Sequence, residues 1–497
     1  MIPTKIDALI FDLGDVLFTW NAPTTTVVPP KTLHAILHTP TWFDYERGRL
    51  TEDEIYRKAA SEFDLSAQDV AVAFQGARDS LCSRPFMVNL IRDLKRDGRK
   101  VYAMSNISAP DWAVLRTKSA DWDIFDAVFT SAEAGERKPS LAFFRHVIAR
   151  TGVDPTRTVF VDDKFDNVLA ARSFGMKGVV YDEFSSVERV LRNVCGDPVA
   201  RGFTFMHEHA GRHVSFTSTG HEIQENFAQL LILEALGDPT LVDYTKYDGP
   251  FNFFRGDGQL TTRSFPFDVD TTSIGMTVAR DISEATKHRV MDEMLHLRSS
   301  DGVLQVYFDP SRPRVDPVVC VNALCFFHLN GRGQELAETL DWVEAVLRHR
   351  AYLHGTRYYE PAEAFLYFLG RLLSVSDEVR QRLGALYEER CRERVNMPGD
   401  ALTLAMRVIS CQTSGVDAAG DVDRLSEMQQ VDGGWENGWF YKYGKNGVLI
   451  ANRGFTTALA INAIRASKIK VESKISHFIT AGRSPLYRTR EHAHNSI

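Results

Sequence analysis

The chain has 497 residues, more than one hydrophobic core usually organises, so at least two domains are expected. Its 58 Lys and Arg side chains against 65 Asp and Glu give a net charge of −7, and no basic block stands out, which argues against nucleic acid as a partner. With 44% hydrophobic and 25% charged residues, the composition excludes a disordered chain.

The N-terminus, Met-Ile-Pro-Thr-Lys-Ile-Asp, carries no signal-peptide pattern. No stretch reaches the roughly 20 apolar residues of a membrane helix, so a cytoplasmic protein without an integral membrane segment is expected. The six cysteines lack Cys-x-x-Cys or zinc-site spacing, which favours reduced thiols. No sequence feature indicates an oligomeric state.

Short apolar runs that end at polar residues recur in the first third of the chain. They alternate with helical patterns, which predicts a parallel, doubly wound α/β sheet in a domain covering about residues 1–190. Further helical patterns between the first two strands predict a helical cap inserted at about residues 20–95. The predicted strands are 7–13, 100–104, 127–130 and 158–161, and the predicted cap helices are 30–37, 51–63 and 67–80.

The alternation fades after Tyr181, and a linker is expected at residues 191–220. Long helical patterns joined by Gly, Pro and Asp turns then predict a second, all-α domain over residues 221–497. The predicted helices are 222–236, 283–297, 318–329, 335–349, 362–373, 377–394, 400–410 and 456–466.

Polar residues follow the predicted strands of the first domain, where ligands gather in open parallel sheets. A carboxylate at Asp12 can attack phosphorus, and Ser105 and Lys138 can hold phosphoryl oxygens. The neighbouring carboxylates Asp162 and Asp163 can bind Mg²⁺, a hard cation that prefers oxygen ligands.

These residues lie in segments that resemble the haloacid dehalogenase-like superfamily across about residues 5–185. The segments are Phe-Asp-Leu-Gly-Asp-Val-Leu-Phe (11–18), Met-Ser-Asn (104–106), Arg-Lys-Pro (137–139) and Val-Phe-Val-Asp-Asp-Lys-Phe-Asp-Asn (159–167). The resemblance implies a Rossmann-like fold, Asp12 as nucleophile, and Mg²⁺ held by Asp12, the Gly14 carbonyl, Asp162 and Asp163.

Gly14 departs from the family pattern, which usually has a second Asp at this position as general acid. Glycine keeps the backbone carbonyl but supplies no proton donor. A working phosphatase and a retained fold without hydrolysis therefore both stay open.

The segment Asp162-Asp163-Lys164-Phe165-Asp166 also matches Asp-Asp-x-x-Asp, the magnesium motif of class I terpene synthases. It follows a predicted strand rather than lying in an apolar helix, and no second metal motif accompanies it. The class I interpretation is therefore rejected.

In the second half, Asp268-Val269-Asp270-Thr271-Thr272 precedes a predicted helix start at Ser273. This pentapeptide resembles the acid motif of class II terpene cyclases, and residues 430–436, Gln-Val-Asp-Gly-Gly-Trp-Glu, resemble their Gln-Trp element. The resemblance implies an α/α barrel-like domain in which Asp270 protonates an alkene, with Asp268 and Thr271 as hydrogen-bonding supports. Burial keeps such a carboxyl neutral by desolvating its anion.

A cationic intermediate would need aromatic ring faces, and a diphosphate would need positive charge. For the aromatic candidates an ordinary core role stays open, and for the arginines a solvated loop stays open. The aromatic candidates are Phe265, Phe267, Tyr307, Trp435 and Trp439, and the basic candidates are Arg312 and Arg314.

The two halves together resemble the fused drimane-type sesquiterpene synthases. This resemblance implies an isoprenoid diphosphate substrate, farnesyl diphosphate, which is cyclised to a bicyclic diphosphate, and an N-terminal phosphatase-like domain that releases the alcohol. Two alternatives stay open: a small-molecule phosphatase with a helical substrate-binding half, and an inactive protein that binds isoprenoid diphosphates.

Overall fold

The structure is a computed structural model that describes residues 5–20, 26–119, 121–443 and 447–481, with side chains described up to residue 468. The chain divides into two compact units, at residues 3–196 and from residue 197 onward. Each unit has its own hydrophobic core, as expected for a chain of this length.

A five-stranded parallel sheet forms the centre of the first unit, in the order β5-β4-β1-β6-β7. Its central strand, Ala-Leu-Ile-Phe, is buried on both faces, as is usual where helices cover a parallel sheet. The strands are β1 (Ala8–Phe11), β2 (Phe18–Thr19), β3 (Cys82–Ser83), β4 (Lys100–Ser105), β5 (Ala127–Thr130), β6 (Thr158–Asp162) and β7 (Lys177–Val180).

The helices of this unit flank the sheet, except for four that form the predicted cap. The cap lies between the antiparallel strands β2 and β3 and has a small apolar core of its own. The cap helices are α1 (Pro30–Leu37), α2 (Pro40–Glu46), α3 (Glu52–Phe63) and α4 (Ala67–Asp79). The remaining helices are α5 (Pro85–Arg96), α6 (Ala109–Leu115), α7 (Ser131–Ala134), α8 (Leu141–Thr151), α9 (Phe165–Ser173) and α10 (Phe184–Cys195).

The second unit is built on a ring of helices. Its helices are α11 (Pro198–Glu208), α12 (Phe227–Leu236), α13 (Val269–Val278), α14 (Glu284–Leu295), α15 (Pro317–Leu329), α16 (Ala337–Arg348), α17 (Ala362–Val375), α18 (Asp377–Arg394), α19 (Ala401–Ser414), α20 (Ala419–Glu427) and α21 (Arg453–Ala481). Helices α12, α13, α15, α17, α19 and α21 pack in that order, and α21 packs on α12, which closes the ring.

Burial separates the inner helices of this ring from the outer ones. Helices α15 and α17 are buried around most of their circumference, whereas α18 buries one face and exposes charged residues on the other. Helices α11, α16, α18 and α20 pack on the outside of the ring. The barrel-like helical architecture expected from the sequence is confirmed.

The structure adds an antiparallel sheet to the second unit, in the order β10-β11-β8-β9. Its strands are β8 (Ser215–Thr217), β9 (Glu222–Ile223), β10 (Trp439–Lys442) and β11 (Leu449–Asn452). The segment 191–220, predicted as a linker, instead contains the end of α10, helix α11 and strand β8, because Phe205 and Met206 of α11 are buried in the second core. Among the described residues, no helix is long and apolar enough to cross a bilayer.

Candidate active sites

The first site lies at the carboxyl ends of β1, β4 and β6. The Nζ of Lys138 is fully buried, 2.9 Å from Asp12 Oδ1, 2.6 Å from Asp162 Oδ2 and 2.7 Å from the carbonyl of Met104. Burial raises the pKa of Asp12, and the adjacent ammonium of Lys138 opposes that rise. The ammonium thus holds two carboxylates together at one edge of the sheet.

Hydrogen bonds fix the backbone of Lys138 and one of its two carboxylate partners, Asp162. Asn106 donates to the carbonyl of Lys138 at 3.0 Å and accepts from its backbone N–H at 2.7 Å. Asn167 donates to Asp162 Oδ1 at 2.9 Å. Ser105, the last residue of β4, is buried beside them. The segments that the sequence analysis singled out therefore do converge.

Three carboxylates at this edge could hold a metal ion. Asp12, Asp162 and Asp163 each offer one oxygen, and these atoms lie within 4.8 Å of one another. All three donors are hard oxygen ligands, which fits Mg²⁺. Asp163 also pairs with Lys164 at 2.7 Å, so one ligand has a competing partner at the solvent side.

Gly14 is exposed and stands beside this cluster. A Cβ added to it would meet no atom within 4 Å, and its backbone is not in the left-handed region. The next residue, Asp15, has a φ of +56° and is exposed. Partial burial and the charge of Asp163 raise the pKa of Asp15. The local backbone therefore does not require glycine at position 14.

The second site is centred on Asp270, in the first turn of α13, where 8% of the residue is exposed. Asn322 of α15 donates to Asp270 Oδ1 at 2.7 Å, and the hydroxyl of Tyr359 donates to Oδ2. Burial raises the pKa of Asp270 to about 7, and the hydrogen bonds from Tyr359 and Asn322 limit that rise. This carboxyl can therefore hold a proton near neutral pH.

A second layer fixes the orientation of Asn322. Its Oδ1 accepts from Arg371 Nη1 at 2.9 Å, and Arg371 in turn pairs with Glu234. An amide that accepts on one side must present its N–H₂ on the other. The Arg371 contact thus directs the Asn322 donor at the carboxyl of Asp270.

Asp268 caps the helix that carries Asp270. Its Oδ1 accepts from the backbone N–H of Thr271 at 2.6 Å, while its Oδ2 is buried without a partner among the described residues. Burial raises the pKa of Asp268 to about 8. Helix α13 begins at Val269, four residues before the predicted start at Ser273, because the Asp268 side chain caps the helix through the N–H of Thr271.

A cavity of about 850 Å³ opens in front of Asp270, within the usual range for small-molecule sites. Aromatic rings form much of its wall, and two arginines stand in it. The lining residues include Asp268, Asp270, Thr271, Phe227, Phe253, Phe254, Phe265, Tyr307, Tyr358, Tyr359, Tyr441, Tyr443, Arg312 and Arg314.

The two arginines contact the aromatic wall. Arg312 lies 5.7 Å from the ring centre of Tyr307 and donates to the hydroxyl of Thr262 at 3.2 Å. Arg314 lies 6.0 Å from the same ring and 3.4 Å from the hydroxyl of Tyr358. Arg312 also pairs with Asp309 at 3.1 Å, and Arg314 has no carboxylate partner within the described part of the chain. The cavity therefore combines a buried acid, ring faces and positive charge.

Known proteins are similar to each of the two units that carry these sites. Residues 6–175 match the haloacid dehalogenase-like hydrolases, and residues 199–330 match the sesquiterpene cyclase astC-like C-terminal domain. Drimenol cyclase drtB of Aspergillus calidoustus is 46% identical over 475 residues, covering 95% of this chain and 90% of that protein. The chain belongs to this family of fused sesquiterpene cyclases.

Two further proteins match the N-terminal unit. Sesquiterpene phosphatase astK of Aspergillus oryzae is 39% identical over 193 residues, covering 39% of this chain and 98% of that protein. A haloacid dehalogenase family enzyme of Bacteroides thetaiotaomicron, solved with magnesium and inorganic phosphate, is 20% identical with a TM-score of 0.31, covering 37% of this chain and 98% of that one. With the family matches over both units, the membership predicted from the two sets of motifs is confirmed.

Three of the predicted aromatic residues lie outside the cavity of this sesquiterpene cyclase domain. Trp435 is fully buried and donates through its indole N–H to the carbonyl of Leu425 at 2.7 Å, so it fastens the Gln-Trp element to α20. Phe267, in the loop before α13, is 42% exposed. Trp439 begins β10 and is partly buried there. These three residues lie in the core, in a loop and in the sheet, and therefore do not line the cavity as predicted.

Residues that the sequence analysis did not single out complete the site. Asn322 and Tyr359 bond to Asp270 across 52 and 89 residues of chain, and Arg371 orients Asn322. One signal existed for Asn322, which is a lone amide in the apolar run of α15. Tyr359 stands in a loop before α17 and has no local pattern that marks it.

Proposed function

We propose that the chain protonates farnesyl diphosphate, cyclises it to a bicyclic drimane-type diphosphate, and then removes phosphate to release the alcohol. The observation that carries the proposal is the carboxyl of Asp270, buried with a raised pKa and open to a cavity of ring faces. Family membership supports the same reaction class.

In the first step the proton of Asp270 passes to the distal double bond of the substrate, whose π electrons form the new C–H bond. The resulting tertiary cation is attacked by the next double bond, and a second ring closure follows. Asn322 and Tyr359 stabilise the carboxylate left on Asp270 by keeping two hydrogen bonds to it. Loss of a proton from a carbon beside the last cation forms the product alkene.

Ring faces stabilise each cation at about 0.5–2 kcal/mol per contact. Phe227, Phe265 and Tyr307 are proposed for this role, since all three line the cavity. Arg312 and Arg314 would hold the diphosphate, because guanidinium groups bind phosphate oxygens with paired N–H donors.

In the N-terminal unit, Asp12 would attack phosphorus through a carboxylate oxygen while the bond from phosphorus to the leaving oxygen breaks. Lys138 and Ser105 would hold the phosphoryl oxygens beside it. A Mg²⁺ ion bound by Asp12, Asp162, Asp163 and the Gly14 carbonyl would supply charge neutralisation for the phosphoryl group. Water then hydrolyses the aspartyl phosphate to phosphate. The first round converts the diphosphate to a monophosphate, and a second round on that monophosphate releases the alcohol.

Incubation of the purified full chain with farnesyl diphosphate and Mg²⁺ tests the proposal, with products extracted before and after treatment with an added phosphatase. A bicyclic alcohol without added phosphatase supports both activities. A bicyclic alcohol only after that treatment supports the cyclase alone. Farnesol as the main product would favour a simple phosphatase, and unchanged substrate would favour an inactive binding protein.

A further inference from the structure

Another buried carboxylate lies behind the wall of the cyclase cavity. Glu225, two residues before the start of α12, is 2% exposed. Its Oε1 accepts from the hydroxyls of Ser215 at 2.6 Å and Tyr441 at 2.7 Å, and its Oε2 accepts from the backbone N–H of Ala228 at 2.8 Å. Neither of the interpretations drawn from the sequence uses this residue.

The hydrogen bonds around Glu225 fit its ionised form. Asn452 donates to the hydroxyl of Ser215 at 3.0 Å, so the proton of that hydroxyl is free to point at Glu225. With Tyr441 and Ala228, three donors then converge on one carboxylate. Burial raises the pKa of Glu225, which makes it a better proton acceptor than a carboxylate in water.

Tyr441 connects this carboxylate to the cavity. Its ring lines the cavity and packs edge-on against Phe253 and Phe227 at 5.5 Å and 6.0 Å between ring centres. Its backbone pairs with Tyr359 in an antiparallel bridge, where directly opposite side chains project to the same face. The tyrosine that touches Asp270 and the tyrosine that touches Glu225 are therefore neighbours.

The chemistry calls for a base distinct from the acid. The last cation lies in the second ring, whereas Asp270 delivers its proton to a carbon of the first. Among the described residues that line the cavity, the carboxylates are Asp268 and Asp270, both at the start of α13. Through its hydrogen bond to Glu225, Tyr441 connects the cavity to a carboxylate that lies away from this pair.

We propose that Glu225, acting through the hydroxyl of Tyr441, is the proton acceptor that ends the cyclisation; this rests on the proposed function. The C–H bond beside the cation breaks and its electron pair becomes the product π bond. The proton passes to the oxygen of Tyr441 as the phenol's own proton passes to Glu225. Tyr441 is then the catalytic residue that touches substrate, and Glu225 acts through it.

The decisive variant is Tyr441→Phe, which keeps the ring and removes the hydroxyl. The matched control is Tyr352→Phe, because the Tyr352 hydroxyl is buried in the same core, has no hydrogen-bond partner among the described residues and lies outside the cavity. Each variant is incubated with farnesyl diphosphate, the products are treated with an added phosphatase, and the ratio of cyclised products is measured.

We expect Tyr441→Phe to consume substrate but to lower the share of the wild-type alkene at least about tenfold relative to other cyclised products, since general bases contribute about 10²–10⁴ in rate. Alkene isomers or products of water capture should replace it. Tyr352→Phe should keep the wild-type ratio. An unchanged ratio in Tyr441→Phe overturns the proposal, whatever happens to the overall rate.

A second variant, Glu225→Gln, separates the relay from a role of Tyr441 alone. The amide is similar in size but cannot take the proton, so the product ratio should shift as it does in Tyr441→Phe. A wild-type ratio in Glu225→Gln, with a shifted one in Tyr441→Phe, would exclude Glu225 as acceptor. Absence of bicyclic product from the wild-type chain would instead contradict the proposed function itself.

Discussion

Asp268 and Asp270 are both buried carboxyls on the same cavity, yet their hydrogen bonds differ. Both oxygens of Asp270 accept a hydrogen bond, which stabilises its anion, whereas Oδ2 of Asp268 has no partner among the described residues. Burial raises the pKa of both carboxyls, and the hydrogen bonds from Tyr359 and Asn322 oppose that rise at Asp270. Because the carboxylate left after protonation of an alkene must be stabilised, Asp270, with a donor on each oxygen, is the better suited of the two as the acid.

Substitution of each carboxyl should separate these roles. Asp270→Asn should lower the rate of cyclisation at least about 10²-fold, because an amide cannot protonate an alkene. Asp268→Asn should be milder, since Asn caps a helix as well as Asp does. Product formation from farnesyl diphosphate and the melting temperature of each variant give the readout. A bicyclic product at near wild-type rate from folded Asp270→Asn would refute the class II assignment.

The pH profile tests the same group. Asp270 must be protonated to act, so the rate of cyclisation should fall about tenfold per pH unit above pH 7, where the carboxyl ionises. Tyr359→Phe removes a donor to the carboxylate and therefore raises the pKa of Asp270. The midpoint of the profile should move to higher pH and the plateau rate should drop. A profile that is flat from pH 6 to 9 would argue against Asp270 as the acid.

At the scale of elements, the sequence predicts the strands of the N-terminal sheet but not those of the second sheet. Four apolar runs in the sequence predicted the strands β1, β4, β5 and β6. Because parallel strands bring their carboxyl ends to one edge of a sheet, the sequence alone was enough to group Asp12, Lys138 and Asp162. The strands β8 to β11 are two to four residues long and come from distant segments. Short strands without a continuous pattern give no comparable signal.

The cyclase site likewise has a part that the sequence predicts and a part that it does not. The acid motif itself could be recognised, because it is local and caps its own helix. Asn322, Tyr359 and Glu225 reach the site through the packing of separate helices and loops, which no local pattern records. Trp435 was one of the candidate rings for the cavity, with an ordinary core role left open, and its side chain belongs to the core of the helical ring.

The loop after β1 allows a direct test of the missing general acid. A side chain at Gly14 meets open space in an ordinary backbone conformation, so Gly14→Asp should fold normally. If the added carboxyl protonates the leaving oxygen, phosphate release should speed up by as much as about 10²-fold. Gly14→Asn is the matched control, with the same size and no acidic proton. Equal rates in both variants would show that this step needs no acid at position 14.

At the scale of the whole molecule, the two units have separate cores and separate chemistry. The described residues that line the cyclase cavity all belong to the second unit, and the carboxylate cluster belongs to the first. Asp12→Asn should therefore leave formation of the bicyclic skeleton intact and stop release of the alcohol. Loss of all cyclised product from a folded Asp12→Asn variant would show that the N-terminal unit takes part in cyclisation.

The order in which products appear follows from the two sites together. In the proposed mechanism Asp270 starts the cyclisation with its carboxyl held by two donors, whereas phosphate removal would proceed without an acid at Gly14. Cyclised diphosphate should accumulate first, with the free alcohol appearing later in a Mg²⁺-dependent step that Asp12→Asn or Asp163→Asn removes. A time course of both species after mixing with farnesyl diphosphate measures this. Alcohol from the first turnovers, with no cyclised diphosphate detectable, would mean that another group donates the proton; Asp15, beside Asp163 at the same edge, would then be the first to substitute.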